Sequence, residues 1–254
     1  MILNYQLNGQ GPLVVLIHGL FGSFENLGVI ARALQDEFQV LNIDVRNHGR
    51  SPQSSDMSYP LLAADLAETL DSLALKPFAL LGHSMGGKIA MQYALQNADK
   101  PQRLLLADIA PVGYPPRHNS IFAGLNSIDL TTLSSRAEAD QLLAAYIQEA
   151  GVRQFLLKNL YKDPTEQFQW RFNLTALIDN YQQLLAAPES TQPYSGATLF
   201  IKGGNSDYIQ AAHQPLILQL FPNASAKIIQ GTGHWLHAEK PAAFSKIVSD
   251  FLLR

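Results

Sequence analysis

Phe78-Ala79-Leu80-Leu81-Gly82-His83-Ser84-Met85-Gly86-Gly87-Lys88 is the stretch on which the fold turns. Its first four residues read as a buried strand. Lys88 to Asn97 carries a helical pattern, so G-x-S-x-G falls on the turn between them. A serine that must project from so sharp a strand-to-helix bend takes unfavourable backbone angles. Flanking glycines remove the Cβ atoms that would collide there. The helix that follows aims free N–H groups and its positive dipole end at the serine oxygen. Ser84 is therefore the candidate nucleophile, and serine at neutral pH needs a base.

Outward from this bend, short apolar runs alternate with amphipathic segments. Leu13–Ile17, Gln39–Ile43 and Arg103–Ala107 read as further strands, with helices over Asn26–Gln35 and Pro60–Leu73. That rhythm predicts a mostly parallel sheet with right-handed crossovers and helices on both faces. It breaks after Pro111. Helical patterns over Ser135–Gly151, Val152–Leu160 and Leu174–Leu185, with no convincing strand among them, predict a helical cap over 112–193. The sheet resumes with Ala197–Lys202 and Ala226–Gln230, and a helix over Pro241–Leu253 closes a core of 1–111 and 194–254.

Composition sets the limits. With 47% hydrophobic and 15% charged residues the chain is globular. A net charge of −3 without a basic stripe argues against nucleic-acid partners. No cysteine is present, which removes disulfides, thiolate metal sites and thiol nucleophiles. The start of the chain lacks a signal-peptide layout. No apolar run approaches the roughly 18 residues of a membrane span. A cytoplasmic protein with no membrane span is expected, its oligomeric state left open.

Of seven histidines, His234 in Gly231-Thr232-Gly233-His234-Trp235 is the candidate base. It follows the last predicted strand and so shares the C-terminal sheet edge with Ser84. His237 is the nearest rival, better read as flanking the closing helix; His18 and His48 read as loop-bonding residues. No histidine has metal-ligand spacing, and neither metal nor cofactor is expected. Two aspartates could orient the imidazole: Asp108, after the strand that follows the nucleophile helix, and Asp207, after the penultimate strand. The residues alone leave both open. Charge building on an acyl oxygen needs N–H donors. Met85 is one candidate, and Leu20, with Phe21 second, is the other, in His18-Gly19-Leu20-Phe21-Gly22. Phe21 and Trp235 are expected to line the substrate site.

These motifs, with Asp44-Val45-Arg46-Asn47-His48-Gly49, Asp108-Ile109-Ala110-Pro111, Trp170-Arg171-Phe172-Asn173 and Gly203-Gly204-Asn205-Ser206, resemble the α/β-hydrolase superfamily. The resemblance is closest to bacterial YbfF-like esterases, relatives of the α/β-hydrolase-domain 11 proteins. It implies an eight-stranded core, a helical cap, and a serine carboxylesterase acting on short-chain esters or acyl-CoA thioesters. It also favours Asp108 as the acid, although this chain carries Asp207 as well, one residue beyond the usual spacing. Cofactor-free perhydrolase and carbon–carbon hydrolase chemistry use the same triad, and a non-catalytic ligand-binding homologue shares the scaffold. Dehalogenases and epoxide hydrolases need aspartate where Ser84 stands.

Overall fold

A computed structural model describes residues 1–97, 101–190 and 192–254. Residues 98–100, inside the expected core, and 191, inside the expected cap, lie outside the described residues. The elements run β1 (Tyr5–Asn8), β2 (Leu13–Ile17), α1 (Gly28–Leu34), β3 (Gln39–Ile43), α2 (Tyr59–Ser72), β4 (Ala79–His83), α3 (Met85–Gln96) and β5 (Arg103–Ala107). There follow α4 (Asn119–Asn126), α5 (Arg136–Ala144), α6 (Ala150–Leu157), β6 (Leu160–Lys162), β7 (Phe168–Trp170), α7 (Leu174–Asp179) and α8 (Tyr181–Leu185). The chain ends with β8 (Ala197–Gly203), α9 (Gln214–Leu220), β9 (Ala224–Ile229), α10 (Leu236–Glu239) and α11 (Pro241–Leu252).

The main sheet has the order β1-β3-β2-β4-β5-β8-β9, parallel except for β1 on β3. Its strands alternate strictly between two cores. Val15, Ile17, Leu80, Leu104 and Leu106 face α2, α3 and the segment between β5 and β8. Val14, Leu16, Leu81, Leu105 and Ile201 face α1 and α11. Cover on both sides is what continuous apolar runs in parallel strands require.

Among the described residues the sheet has seven strands, not the eight implied by resemblance. Leu3 N–H donates to Thr69 Oγ1 and Asn4 N–H to Ser51 Oγ, while the Met1 ammonium is held by Asp65 and Glu68. Tyr5–Asn8 pairs with β3.

The segment between β5 and β8 also departs from the all-helical expectation. Its antiparallel β6–β7 pair is three residues a side, too short to show a period. The helix expected over Leu174–Leu185 is broken at Asn180, whose side chain donates to Ser55 O and Ala176 O. Phe122, Leu143, Leu156, Trp170, Phe172 and Tyr181 from this segment join the α2–α3 core, so it packs as one body with that face.

Candidate active site

Ser84 caps α3 with φ 53° and ψ −121°, a strained left-handed conformation worth about 1–3 kcal/mol. The bend persists because its neighbours permit nothing else. A Cβ on Gly82 would stand 2.2 Å from Gly86 O, and one on Gly86 would stand 2.2 Å from Ile17 O. Only glycine lets α3 start so close to β2 and β4. Ladder bonds then continue past the strand ends: Ser84 N–H donates to Ala107 O (3.0 Å) and Asp108 N–H to Ile201 O (2.8 Å). The two bends are thereby fixed side by side.

From the β9–α10 loop, His234 reaches the same place. Ser84 Oγ lies 2.9 Å from His234 Nε2, and His234 Nδ1 lies 2.8 Å from Asp108 Oδ2. A buried carboxylate only accepts, so Nδ1 carries the proton and Nε2 is left to take the one on Ser84. Asp108 is fully buried with φ 51°. It also accepts from Gly203 N–H (3.0 Å) and from the hydroxyl of Ser206. The loop after β8 and the loop that carries His234 are laced together by Gly204 N–H to Ile229 O and Asn205 N–H to Thr232 O. A Cβ on Gly203 would lie 2.1 Å from Gly233 O. The imidazole stacks on Tyr208 at 3.8 Å between centroids, and His83 Nε2 donates to His234 O at 2.8 Å.

Asp207 is not brought to the histidine. Its side chain is 65% exposed and pairs with Arg117 at 2.6 Å; the Arg117 hydrogen bond holds its carboxyl below the usual range. One position later than Ser206, it points out of the loop where Ser206 points in. His237 is buried, its ring 4.4 Å from that of His83, and it is His234 that bonds Ser84.

The β2–α1 loop closes the third side. A Cβ on Gly19 would approach Ser84 Cβ to 3.2 Å, so this backbone passes directly over the nucleophile. His18 Nδ1 donates to Gly19 O while its Nε2 accepts from Val45 N–H. Phe21 has φ 60°, and its N–H donates to His48 Nε2 at 3.2 Å. That engagement leaves the Leu20 amide as the uncommitted neighbour. The Phe21 ring packs edge-on against His118, Phe122 and Phe172, and Asn159 Nδ2 donates to Phe21 O. Phe21 thus anchors the loop to the β5–β8 segment as well as lining the site.

Two cavities meet at Ser84, Leu20 and His118. One, of about 530 Å³ including its open mouth, runs past Trp235, Phe155 and Val152. The other, of about 410 Å³ with its open mouth likewise included, runs along α3 to Lys88, Tyr59 and Tyr114. Burial pushes the His118 imidazole down to about 4 and Lys88 down to about 7. The sequence reading missed Ser206, Tyr208, His118 and Lys88. Ser206 and Lys88 stood within quoted motifs, but only the bend at Asp108 and the path of the second cavity give them partners.

With this geometry in view, the relatives fit. A family described as the alpha/beta hydrolase fold matches residues 12–241. The chain is 41% identical to the mouse sn-1-specific diacylglycerol lipase ABHD11, covering 95% of this chain and 81% of that one. It is 40% identical to Esterase YbfF of Escherichia coli K12, covering 94% and 92%. Among solved structures, a marine microorganism esterase superposes with a TM-score of 0.96 at 38% identity, over 98% of this chain and 99% of that one. The chain belongs to the α/β-hydrolase family, among its esterases and lipases.

Proposed function

We propose that the chain is a serine carboxylesterase that cleaves short acyl esters through an acyl-enzyme on Ser84. The observation that carries the reading is the unbroken relay Ser84 Oγ–His234–Asp108, at 2.9 and 2.8 Å. Ser84 attacks the acyl carbon as its proton passes to His234 Nε2, and Asp108 steadies the imidazolium that results. The oxygen that gains charge meets two amides. Met85 N–H heads α3, where first-turn amides have no intrahelical acceptor, and Leu20 N–H lies on the loop that crosses Ser84. His234 then gives its proton to the departing alcohol. Water enters, loses a proton to His234, and attacks the acyl carbon; the Ser84 oxygen leaves and takes that proton back.

Ser206 supports Asp108 by donating to the oxygen that also faces His234. Phe21 and Trp235 contribute apolar lining to the cavity that opens at Ser84. Ser84→Ala should keep its far-UV spectrum and lose p-nitrophenyl butyrate hydrolysis by at least about 10³-fold. Wild-type turnover in that variant would overturn the assignment. A matched panel of acyl-CoA thioesters tests whether thiol leaving groups are accepted.

A further inference from the structure

His118 stands just ahead of α4 and has no part in the Ser84–His234–Asp108 relay. Its neighbours fix where its proton sits. The Tyr181 hydroxyl oxygen lies 2.9 Å from Arg117 N, 3.0 Å from His118 N and 2.8 Å from His118 Nδ1. The two backbone N–H groups donate to that oxygen and take both of its lone pairs, so its own proton goes to Nδ1. Burial first, then His234 and Arg117, push the imidazole down to about 4, so the ring is neutral near neutral pH. A neutral ring that accepts at Nδ1 carries its hydrogen on Nε2.

That N–H is unspent. Among the described residues Nε2 has no hydrogen-bond partner, and it is not sealed away from the cavities that its ring borders. Of the described residues, only Ser84, Leu20 and His118 line both of those cavities. The ring is kept there by edge-on packing against Phe21 and Tyr181, at 6.0 and 5.7 Å between centroids. An ester whose acyl carbon is at Ser84 lies where the two cavities join, so His118 borders the place of the ester group itself. That group has two oxygens. In the reading given above, the carbonyl oxygen meets the Met85 and Leu20 amides, which leaves the bridging oxygen to accept from His118.

We propose that His118 is a further catalytic residue: its Nε2–H donates to the bridging oxygen of the bound ester, and Tyr181 is the positioning residue that holds it in the tautomer able to do so. This rests on Ser84 as acyl acceptor. As the bond from the acyl carbon to that oxygen breaks, the oxygen gains negative charge and takes the proton from His234. The hydrogen bond from His118 strengthens as the charge builds, and His118 gives up no proton. Because the ring stays neutral, it adds no positive charge beside the imidazolium that forms on His234.

The help such a bond gives grows with the charge on the departing oxygen. The experiment therefore pairs p-nitrophenyl butyrate, whose phenolate leaves readily, with ethyl butyrate, whose alkoxide does not, and compares kcat/KM, which reports acylation. His118→Phe keeps a ring and removes the donor; it should lose at least about tenfold on ethyl butyrate and less than about threefold on p-nitrophenyl butyrate. His118→Gln, whose amide nitrogen stands near the place of Nε2, should recover most of that loss. Tyr181→Phe frees the tautomer and should lose about threefold on ethyl butyrate, with no further loss in the His118→Phe background. Should His118→Phe fail to fold, Tyr181→Phe carries the same comparison of the two esters. Equal losses on both esters, no loss on either, or full additivity of the two substitutions would overturn the proposal while the esterase reading stands. So would a wild type that cleaves p-nitrophenyl butyrate but not ethyl butyrate. A wild type that turns over neither ester would overturn both.

Discussion

Three residues outside glycine adopt positive φ where the site is built: Phe21 at 60°, Ser84 at 53° and Asp108 at 51°. Each sits just past the end of a strand, and each turns a group towards one point. Strain of this kind persists only when the surroundings over-determine it, and here ladder bonds, close glycines and a buried carboxylate do so. The two aspartates separate the same way. Asp108→Asn would leave the shape intact but favour the wrong imidazole tautomer. We expect kcat to fall by about 10³–10⁴-fold. Asp207→Asn removes an exposed ion pair and should change kcat less than about threefold. Stopped assays on both variants with p-nitrophenyl butyrate check this, and the reverse ranking would refute it. Ser206→Ala should cost kcat about tenfold, since Asp108 then loses its hydroxyl donor while keeping Gly203 N–H and His234.

At the scale of elements, the contact between α3 and the sheet is the joint that sets Ser84 and the Met85 amide in place. Gly86→Ala would drive a methyl into Ile17 O and His18 O, at 2.2 and 2.5 Å. Backbone cannot swing aside as a side chain can. We expect at least about 2 kcal/mol of lost stability, read as a lower urea midpoint, with activity reduced in the fraction that folds. An unchanged midpoint would mean that α3 sits farther from β2 than described. The strands read from Leu13–Ile17 to Ala197–Lys202 are buried on both faces, where an apolar run is itself the signal; β9, read at Ala226–Gln230, is the exception, being mostly exposed. Tyr5–Asn8 is exposed throughout and its polar sequence hid it. The β6–β7 pair was hidden by length, and the break in Leu174–Leu185 by a side chain, Asn180, whose partners Ser55 and Met57 lie more than a hundred residues away. The site followed the same division. Ser84 and His234 are marked by local glycine patterns, whereas choosing between Asp108 and Asp207 needed the long-range pairing of β5 with β8.

For the molecule as a whole, its histidines couple stability to pH. Burial pushes His18 down to about 4, His48 to about 3, and His118 and His237 to about 4. In the unfolded chain these rings titrate near 6.5. Between those limits the unfolded state holds more protons than the folded state, so stability drops as pH falls through that window. Urea midpoints should be lower at pH 5.0 than at pH 7.5, and a His48→Asn variant should show a smaller difference between the two. Midpoints equal at both pH values would show that these rings are not held neutral. No helix among the described residues is long and apolar enough to cross a membrane; the apolar faces are spent on the sheet and on the segment that covers α2 and α3. The bends after β2, β4, β5 and β9 converge at Ser84. Labelling with a fluorophosphonate, followed by intact mass and peptide mapping, tests that convergence most directly. The relay described here requires a single adduct, on Ser84, formed at least about 10³-fold more slowly in His234→Ala; a folded wild-type protein that stays unlabelled, or carries its adduct elsewhere, would contradict it.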